Sequence, residues 1–299
     1  MAKSKQRKFY VVSIIVSFIL SVLLSIGGYL VGADMGIFNK DTIYKSMSAA
    51  GYYNGIYEDV VSTSKQLGRP MMLHAEVFEN VFYYNEVKDD IQNNLEAQLA
   101  GTMYTPDTSQ IRERLNSNIE DYARKNNIEI GTQQQTAIDG FLTQIEDNYK
   151  SSLGITFINY YVSMRKMFDN IYFKVLAAIL VLIMIAVFII IKDHRYVHRA
   201  IRYITYSTLA AAYMTGIIPM YLYIKGIYRR LAISPEYYYN MLIKTADKSL
   251  LMFVYIAIFF LVLSAGLIAL TIILKNNLKK KASHSHTHHS HHSHHEAEE

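Results

Sequence analysis

Eight histidines form the densest group of residues in this chain that could bind a metal. They stand among serines and threonines near the C-terminus, and they are His284, His286, His288, His289, His291, His292, His294 and His295. Imidazole nitrogens are good ligands for zinc, nickel and copper, so the group predicts binding of Zn²⁺ or Ni²⁺ at the tail. The spacing matches no tetrahedral site, however, and we expect such binding to be adventitious and no cofactor to be needed.

Residues suited to acid, base or nucleophilic catalysis are scattered. Carboxylates lie among polar neighbours on the faces of predicted helices, as do Glu76, Glu79, Asp89 and Asp90. His74 is the only histidine between positions 33 and 172. The chain has no cysteine, which excludes thiol catalysis, thiolate zinc sites and iron–sulfur clusters. It also has no glycine-rich loop that could hold a nucleotide phosphate. The sequence therefore predicts a protein that is not an enzyme.

A stripe of small residues follows one face of the first apolar stretch. Its members are Ser13, Ser17, Ser21, Ser25, Gly28 and Gly32. Residues three or four apart share a face of a helix, and small ones let helix backbones approach closely. Serine hydroxyls add hydrogen bonds worth about 0.6 kcal/mol each inside a membrane. The stripe predicts helix packing, either within the chain or in a homo-oligomer, and Ala212 with Gly216 forms a shorter example.

The third apolar stretch carries more hydroxyl groups than its neighbours. Near its middle lie Tyr206, Thr208, Tyr213 and Thr215. In a lipid environment such groups need hydrogen-bond partners inside a helix bundle, or they must line a hydrated cleft. The pattern predicts buried structural hydrogen bonds, with an intramembrane polar site for a substrate or lipid as the alternative.

Four apolar stretches dominate a chain that is 51% hydrophobic and only 18% charged. They run over residues 9–31, 173–191, 204–224 and 250–274. Roughly 20 apolar residues suffice to cross a bilayer as a helix, so each predicts a transmembrane span. None contains Asp, Glu, Arg or His, which argues against proton pumps, voltage sensors and ion-coupled carriers. The first stretch is too long for the apolar part of a signal peptide, and we interpret it as a retained anchor.

Charge is distributed unevenly along the chain. Residues 34–171 carry 19 acidic and 12 basic side chains, a net charge of −7, whereas the remainder carries +12. Basic residues cluster before the first span, between the second and third, and after the fourth, which predicts that these segments are cytoplasmic. The loop between the third and fourth spans is also basic and departs from this rule. The absence of cysteine and of glycosylation sequons in the exterior segment favours a bacterial plasma membrane.

The segment between the first two spans has helical periodicity. Four apolar stripes run over residues 43–67, 73–99, 111–122 and 138–171, and the last continues into the second span, with Gly154 as the position where a bend or break is expected. Between the third and fourth spans, a tyrosine-rich basic loop predicts a short helix on lipid headgroups, with docking on the acidic domain as the alternative.

These features together predict an all-α integral membrane protein with four transmembrane helices and an extracytoplasmic antiparallel helical bundle between the first and second. The expected organisation is a cytoplasmic N-terminus (1–8), span 1 (9–32), the extracytoplasmic domain (33–172), span 2 (173–191), a cytoplasmic turn (192–203), span 3 (204–224), an extracytoplasmic loop (225–249), span 4 (250–274) and a cytoplasmic basic, His-rich, disordered tail (275–299).

The order of these segments is similar to two known designs. The helical domain inserted between spans resembles the four-helix-bundle sensing domains of bacterial chemoreceptors, whose outer helices continue from their spans. One span, a large exterior domain and three further spans also resemble, in layout, the membrane subunits of the FtsX and MacB kind. Those subunits work with a separate cytoplasmic ATPase, and their exterior domain is of mixed rather than helical type.

The function expected from the sequence is non-enzymatic. The exterior bundle would bind a ligand or partner and couple it to the membrane helices, as a sensor or accessory subunit. The alternatives are a membrane subunit of a transport or export complex with an ATPase in trans, and a metal-handling protein using the tail. The expected partners are the lipid bilayer and either another protein or further copies of the chain; nucleic acid is not expected outside a cell membrane.

Overall fold

The computed structural model describes the backbone of residues 2–155, 158–194 and 196–290, and the side chains of residues 11–155, 158–194 and 196–276. Within these residues every regular element is helical. The α-helices are α1 (Ala2–Met35), α2 (Lys40–Ala49), α3 (Tyr52–Gly68), α4 (Tyr84–Ala100), α5 (Ser109–Lys125), α6 (Thr132–Ser152), α7 (Ile158–Asp193), α8 (Val197–Lys225) and α9 (Glu236–Ser290). Short 3₁₀ helices occupy Arg69–Met71, Ala75–Phe78 and Ile227–Arg230.

Four helices are long and apolar enough to cross a membrane. These segments are Val11–Met35, Ile158–Asp193, Val197–Arg230 and Glu236–Asn276, on α1, α7, α8 and α9. Large apolar side chains cover their outer surfaces, as shown by Phe18, Phe188 and Phe259. Contiguous apolar surface of this kind is rare on soluble monomers and suits contact with lipid. The predicted all-helical class is confirmed for the described residues, and four helices have the length and apolar composition that the predicted spans require.

Contacts divide the chain into two compact units. The membrane unit comprises residues 1–42, 170–230 and 245–299, and the helical unit comprises residues 43–169 and 231–244. In the membrane unit, α1 packs along α8, while Leu20 of α1 joins Ala186 and Ile190 of α7 in a buried cluster. The phenyl ring of Phe253 in α9 lies against α1 at Gly32. Helix α1 therefore contacts each of the other three spans.

The helical unit has a core of its own. Helix α3 packs against α4 and α6, and α5 packs against α6. Fully buried side chains fill this core, and they include Met47, Val60, Ile91, Leu95, Leu115, Leu142, Ile145 and Tyr149. Most were predicted from the helical periodicity, because an amphipathic helix buries the face on which its apolar residues recur.

The first two predicted helices differ from those observed. Gly51, at φ 67°, separates α2 from α3 in a conformation that favours glycine. The second stripe is helical only from Tyr84, and the residues before it form a 3₁₀ turn and loop. Val77 and Phe78 are nevertheless buried there. The Asn118 side-chain amide donates to two of the loop's carbonyls, those of Val77 and Glu79, at 2.9 Å each. A side chain from another helix thus replaces hydrogen bonds that a continuous helix would supply.

The fourth stripe is interrupted where glycine occurs. Helix α6 ends at Ser152 and α7 begins at Ile158. Leu153 is buried, and its carbonyl accepts a hydrogen bond from the Asn94 side-chain amide at 2.8 Å. The sequence pattern predicts a bend or break at Gly154, and the structure has a break there, because one helix ends before Gly154 and the next begins after it. Leu153 and Ile155 lie within this break and are still buried, so the spacing of buried apolar residues continues across it.

The loop between the third and fourth spans completes the core of the helical unit. Tyr238 and Met241, on the first turns of α9, are buried with the core residues of α3 and α4. The rings of Tyr52 and Tyr237 meet edge to face, with centroids 5.6 Å apart. A Cβ atom at Gly55 would lie 2.3 Å from the Tyr237 ring, so only glycine permits this approach. The sequence favoured a short helix on lipid headgroups for this loop, but residues 231–244 belong to the helical unit, as the alternative interpretation had it.

A polar cluster fastens α4 to α6. The fully buried Tyr149 donates its hydroxyl hydrogen bond to the Asp90 carboxylate, and Tyr104 donates to the same carboxylate at 2.6 Å. Burial and the neighbouring carboxylate both raise the pKa of Tyr149 well above its usual value of 10, because both disfavour the tyrosinate. The neutral phenol is therefore the form that stabilises the fold.

Replacing Tyr149 with Phe should destabilise the helical unit by about 1–3 kcal/mol, because the half-buried Asp90 loses a hydrogen-bond donor. The raised pKa of Tyr149 also means that stability is complete below about pH 10 and falls above it, as the unfolded chain ionises more readily. Y149F should reduce this alkaline loss. Hydrogen exchange of peptides from α4 and α6 in the full-length protein measures both effects. Tyr84→Phe, at an exposed ring, is the control; identical exchange in Y149F and wild type would contradict the expectation.

Candidate binding sites

The serine stripe of α1 lies inside the membrane unit. Ser13, Ser17, Ser21 and Ser25 are all buried. The Ser17 hydroxyl lies 2.8 Å from that of Ser207 in α8, which also donates to the Ser17 carbonyl at 2.7 Å. A side chain of one helix can bond to the backbone of another only where the two helices lie close together, and small residues allow that approach. The stripe therefore forms the contact between α1 and α8 within one chain.

The other members of the stripe bond to different partners. Ser13 donates to the Asp193 carboxylate of α7 at 2.5 Å, whereas Ser21 donates to the carbonyl of Phe18 in its own helix. A Cβ atom at Gly28 would lie 3.0 Å from the Phe260 ring, and one at Gly32 would lie 2.4 Å from the Phe253 ring. The serines thus contact α7 and α8, and the glycines accommodate α9.

The four hydroxyl residues of the third span do not form one site. Thr208 is buried and lies 2.7 Å from the Ser264 hydroxyl of α9, and Thr215 is buried with its hydroxyl 3.5 Å from that of Ser25. The rings of Tyr206 and Tyr213 are instead 56% and 57% exposed on the outer surface of the unit. The threonines hold helices together, while the two tyrosines face outward.

The predicted metal-binding histidines lie outside the residues whose side chains the structure describes. They are His284, His286, His288, His289, His291, His292, His294 and His295. Among the described residues, no group of three or more His, Asp or Glu side chains is arranged to hold a metal ion. His74 stacks on the ring of Tyr122, with centroids 5.6 Å apart, and takes part in no such group.

An open pocket of about 640 Å³ lies in the helical unit. It is bounded by the 3₁₀ segment after α3, by α5 and by the first turns of α6. Its apolar lining includes Met71, Met72, Ile119, Tyr122, Ile130 and Ile138. Volumes of about 300–1,000 Å³ with mostly apolar walls are typical of small-molecule sites. We refer to it as the helical-unit pocket.

Few polar groups reach the helical-unit pocket. His74, Glu129 and Gln134 supply imidazole, carboxylate and amide groups among its lining residues. The Glu129 carboxylate favours a ligand that carries a hydrogen-bond donor or a positive charge, while the walls favour an apolar body. The arrangement suits binding of a small amphipathic molecule. It lacks a nucleophile held by a base, which covalent catalysis requires.

The sequence pattern does not predict this pocket, because much of its wall comes from helix ends and the turns between helices. Met72, at φ 55°, is 85% exposed, and Ile128 is 52% exposed in the turn before α6. Both residues lie where the helical spacing of apolar residues ends, so that spacing does not predict a role for either of them. The available signal was apolar residues within breaks between helices, where polar residues are usual.

No protein-family model matches the sequence, and no curated protein or solved structure is significantly similar to it.

Replacing Gly216 with Ala should destabilise the membrane unit by about 1–3 kcal/mol, because the added Cβ would lie 2.7 Å from the Cβ of Ala257 and force α8 from α9. Gly266→Ala is the matched control, since no atom lies within 4 Å of a Cβ there. Thermal unfolding of both full-length variants in detergent, followed by circular dichroism, measures the difference. Equal melting temperatures would show that α8 and α9 are not tightly packed at this point.

Proposed function

We propose that this protein is a four-span membrane protein of non-enzymatic type, whose helical unit lies outside the cytoplasm and binds a small amphipathic ligand. The helical-unit pocket carries the proposal, since its size and lining are those of a ligand site. The protein then acts as a sensor or accessory subunit, and the membrane unit passes the binding event to a partner. A plasma membrane with cytoplasmic N- and C-termini is part of the proposal.

Two features support this topology. In a chain that crosses a bilayer four times, the segments after spans 1 and 3 must lie on the same side. Residues 43–169 and 231–244 belong to one compact unit, as that requirement demands. The acidic character of residues 34–171 and the basic residues beside the other span ends favour the exterior for this unit.

The basic loop that departed from the charge rule is partly neutralised. Arg229 forms an ion pair with Asp247 at 2.8 Å, and Tyr228 donates a hydrogen bond to the same carboxylate. A paired arginine attracts anionic lipid less than a free one, because its charge is compensated locally. This pairing supports an exterior position for the loop.

The structural roles of the carboxylates support binding rather than catalysis. Asp90 accepts hydrogen bonds from two tyrosines, and Glu86 accepts from both Nη atoms of Arg114 at 2.6 and 3.0 Å. Glu146 pairs with Arg112 at 2.9 Å. These acids hold helices together, and a group used in this way is not free to act as a general base.

The topology is testable with single cysteines, because the chain has none of its own. Met103→Cys, at a side chain that is 99% exposed, should react with a membrane-impermeant maleimide on intact cells. Val197→Cys, exposed at the start of α8, should react only after permeabilisation. The two variants report on opposite sides, so a reversed labelling pattern would contradict the orientation, and labelling of both in intact cells would contradict the four spans.

Ligand binding is testable by filling the helical-unit pocket. Ala137 lines it and is exposed, so Ala137→Trp should occupy the pocket without disturbing the core. A small aromatic amine carrying a diazirine should photolabel Tyr122 and Ile138 in the full-length protein and lose that labelling in A137W. Gly140→Trp, on the same helix in open space, is the matched control and should label normally. Unchanged labelling in A137W, or none in wild type, would refute the pocket as a binding site.

A further inference from the structure

A second cavity, of about 810 Å³, lies within the membrane unit at the crossing of α1 and α8. We call it the basic pocket, because its positively charged lining residues are Arg199, Arg202 and Lys275, with His194 and His198 beside them. Among the residues whose side chains the structure describes, no acidic residue lines it. Arg199 and Arg202, three positions apart, share one face of α8, and Lys275 comes from α9.

The cations of the basic pocket, Arg199, Arg202 and Lys275, have no ion-pair partner in the part of the chain whose side chains the structure describes. The nearby Asp193 accepts the hydrogen bond from Ser13 instead. Nδ1 of His198 is also buried without a hydrogen-bond partner among the described residues. Uncompensated cations favour an anionic ligand that accepts several hydrogen bonds.

The other residues that line the basic pocket suit the uncharged part of a ligand. Tyr206 supplies a hydroxyl group, and Ile14 and Phe18 supply an apolar wall. Ile14 and Phe18 are 58% and 62% exposed on the apolar face of α1, the surface that would contact lipid tails. A ligand with an anionic head and long apolar chains satisfies both ends, whereas a soluble phosphate would satisfy only the basic end.

We infer that the basic pocket is a binding site for one anionic phospholipid. Its phosphate pairs with Arg199 and Arg202, the exposed Lys275 and the histidines add donors, and its acyl chains lie along Ile14 and Phe18. The basic residues lie at the ends of three spans, at the depth where a headgroup phosphate resides. This site belongs to the membrane unit and is independent of the ligand proposed for the helical unit.

Native mass spectrometry of the full-length protein in mild detergent tests the inference. Titration with phosphatidylglycerol should give a single tightly bound lipid, and phosphatidylcholine with the same acyl chains should bind more weakly. The double variant R199Q/R202Q should bind phosphatidylglycerol about 25-fold more weakly, because each cation removed should weaken binding roughly five-fold. It should weaken phosphatidylcholine binding much less, because the choline ammonium of that lipid offsets the negative charge of its phosphate.

The control removes the same charge from the other end of α8. K225Q/R230Q lowers the net charge equally at two exposed positions that do not line the basic pocket, and it should bind phosphatidylglycerol like wild type. An equal loss in both double variants, or equal affinity for the two lipids, would refute the site. If glycerol phosphate displaces the lipid at similar concentrations, the ligand is a soluble phosphate and the lipid assignment is wrong. Should R199Q/R202Q fail to fold, Lys275→Gln alone should still weaken binding about five-fold.

Discussion

The close approach of α1 to the other spans is the constraint on which the membrane unit depends. Lipid tails are as apolar as the side chains they would replace, so burial alone does not drive helices together in a bilayer. Van der Waals contact and hydrogen bonds must do so, and both need short distances between backbones. The hydroxyl and the carbonyl of Ser17 both bond to the Ser207 hydroxyl, which brings α1 close to α8. Gly32 has no side chain, so the Phe253 ring of α9 can lie against the α1 backbone. A larger residue at either position would open the contact.

The helical unit relies on a different constraint, because its core is assembled from two distant parts of the chain. Tyr238 and Met241 pack among residues that come almost two hundred positions earlier, and Gly55 permits that contact by leaving room for the Tyr237 ring. A segment of residues 43–169 alone would therefore lack part of its own core.

Charge has opposite uses at the two ends of α8. Near Lys225, the cation of Arg229 is compensated by Asp247. Near Val197, Arg199 and Arg202 have no such partner among the described residues, and an open cavity lies beside them. The count of basic residues is similar at both ends, but their pairing differs. Pairing, rather than count, therefore distinguishes a structural arginine from one that can bind an anion.

The sequence by itself determined the helical class, the four spans, the small-residue face of α1 and most of the buried residues. Each follows from periodicity and composition, which record whether a position is buried or exposed. It predicted the break at Gly154 but not the loop before Tyr84, because Asn118 satisfies the carbonyls of that loop from another helix. Nor did it determine either pocket. Residues from separate helices line each one, and only packing brings such residues together.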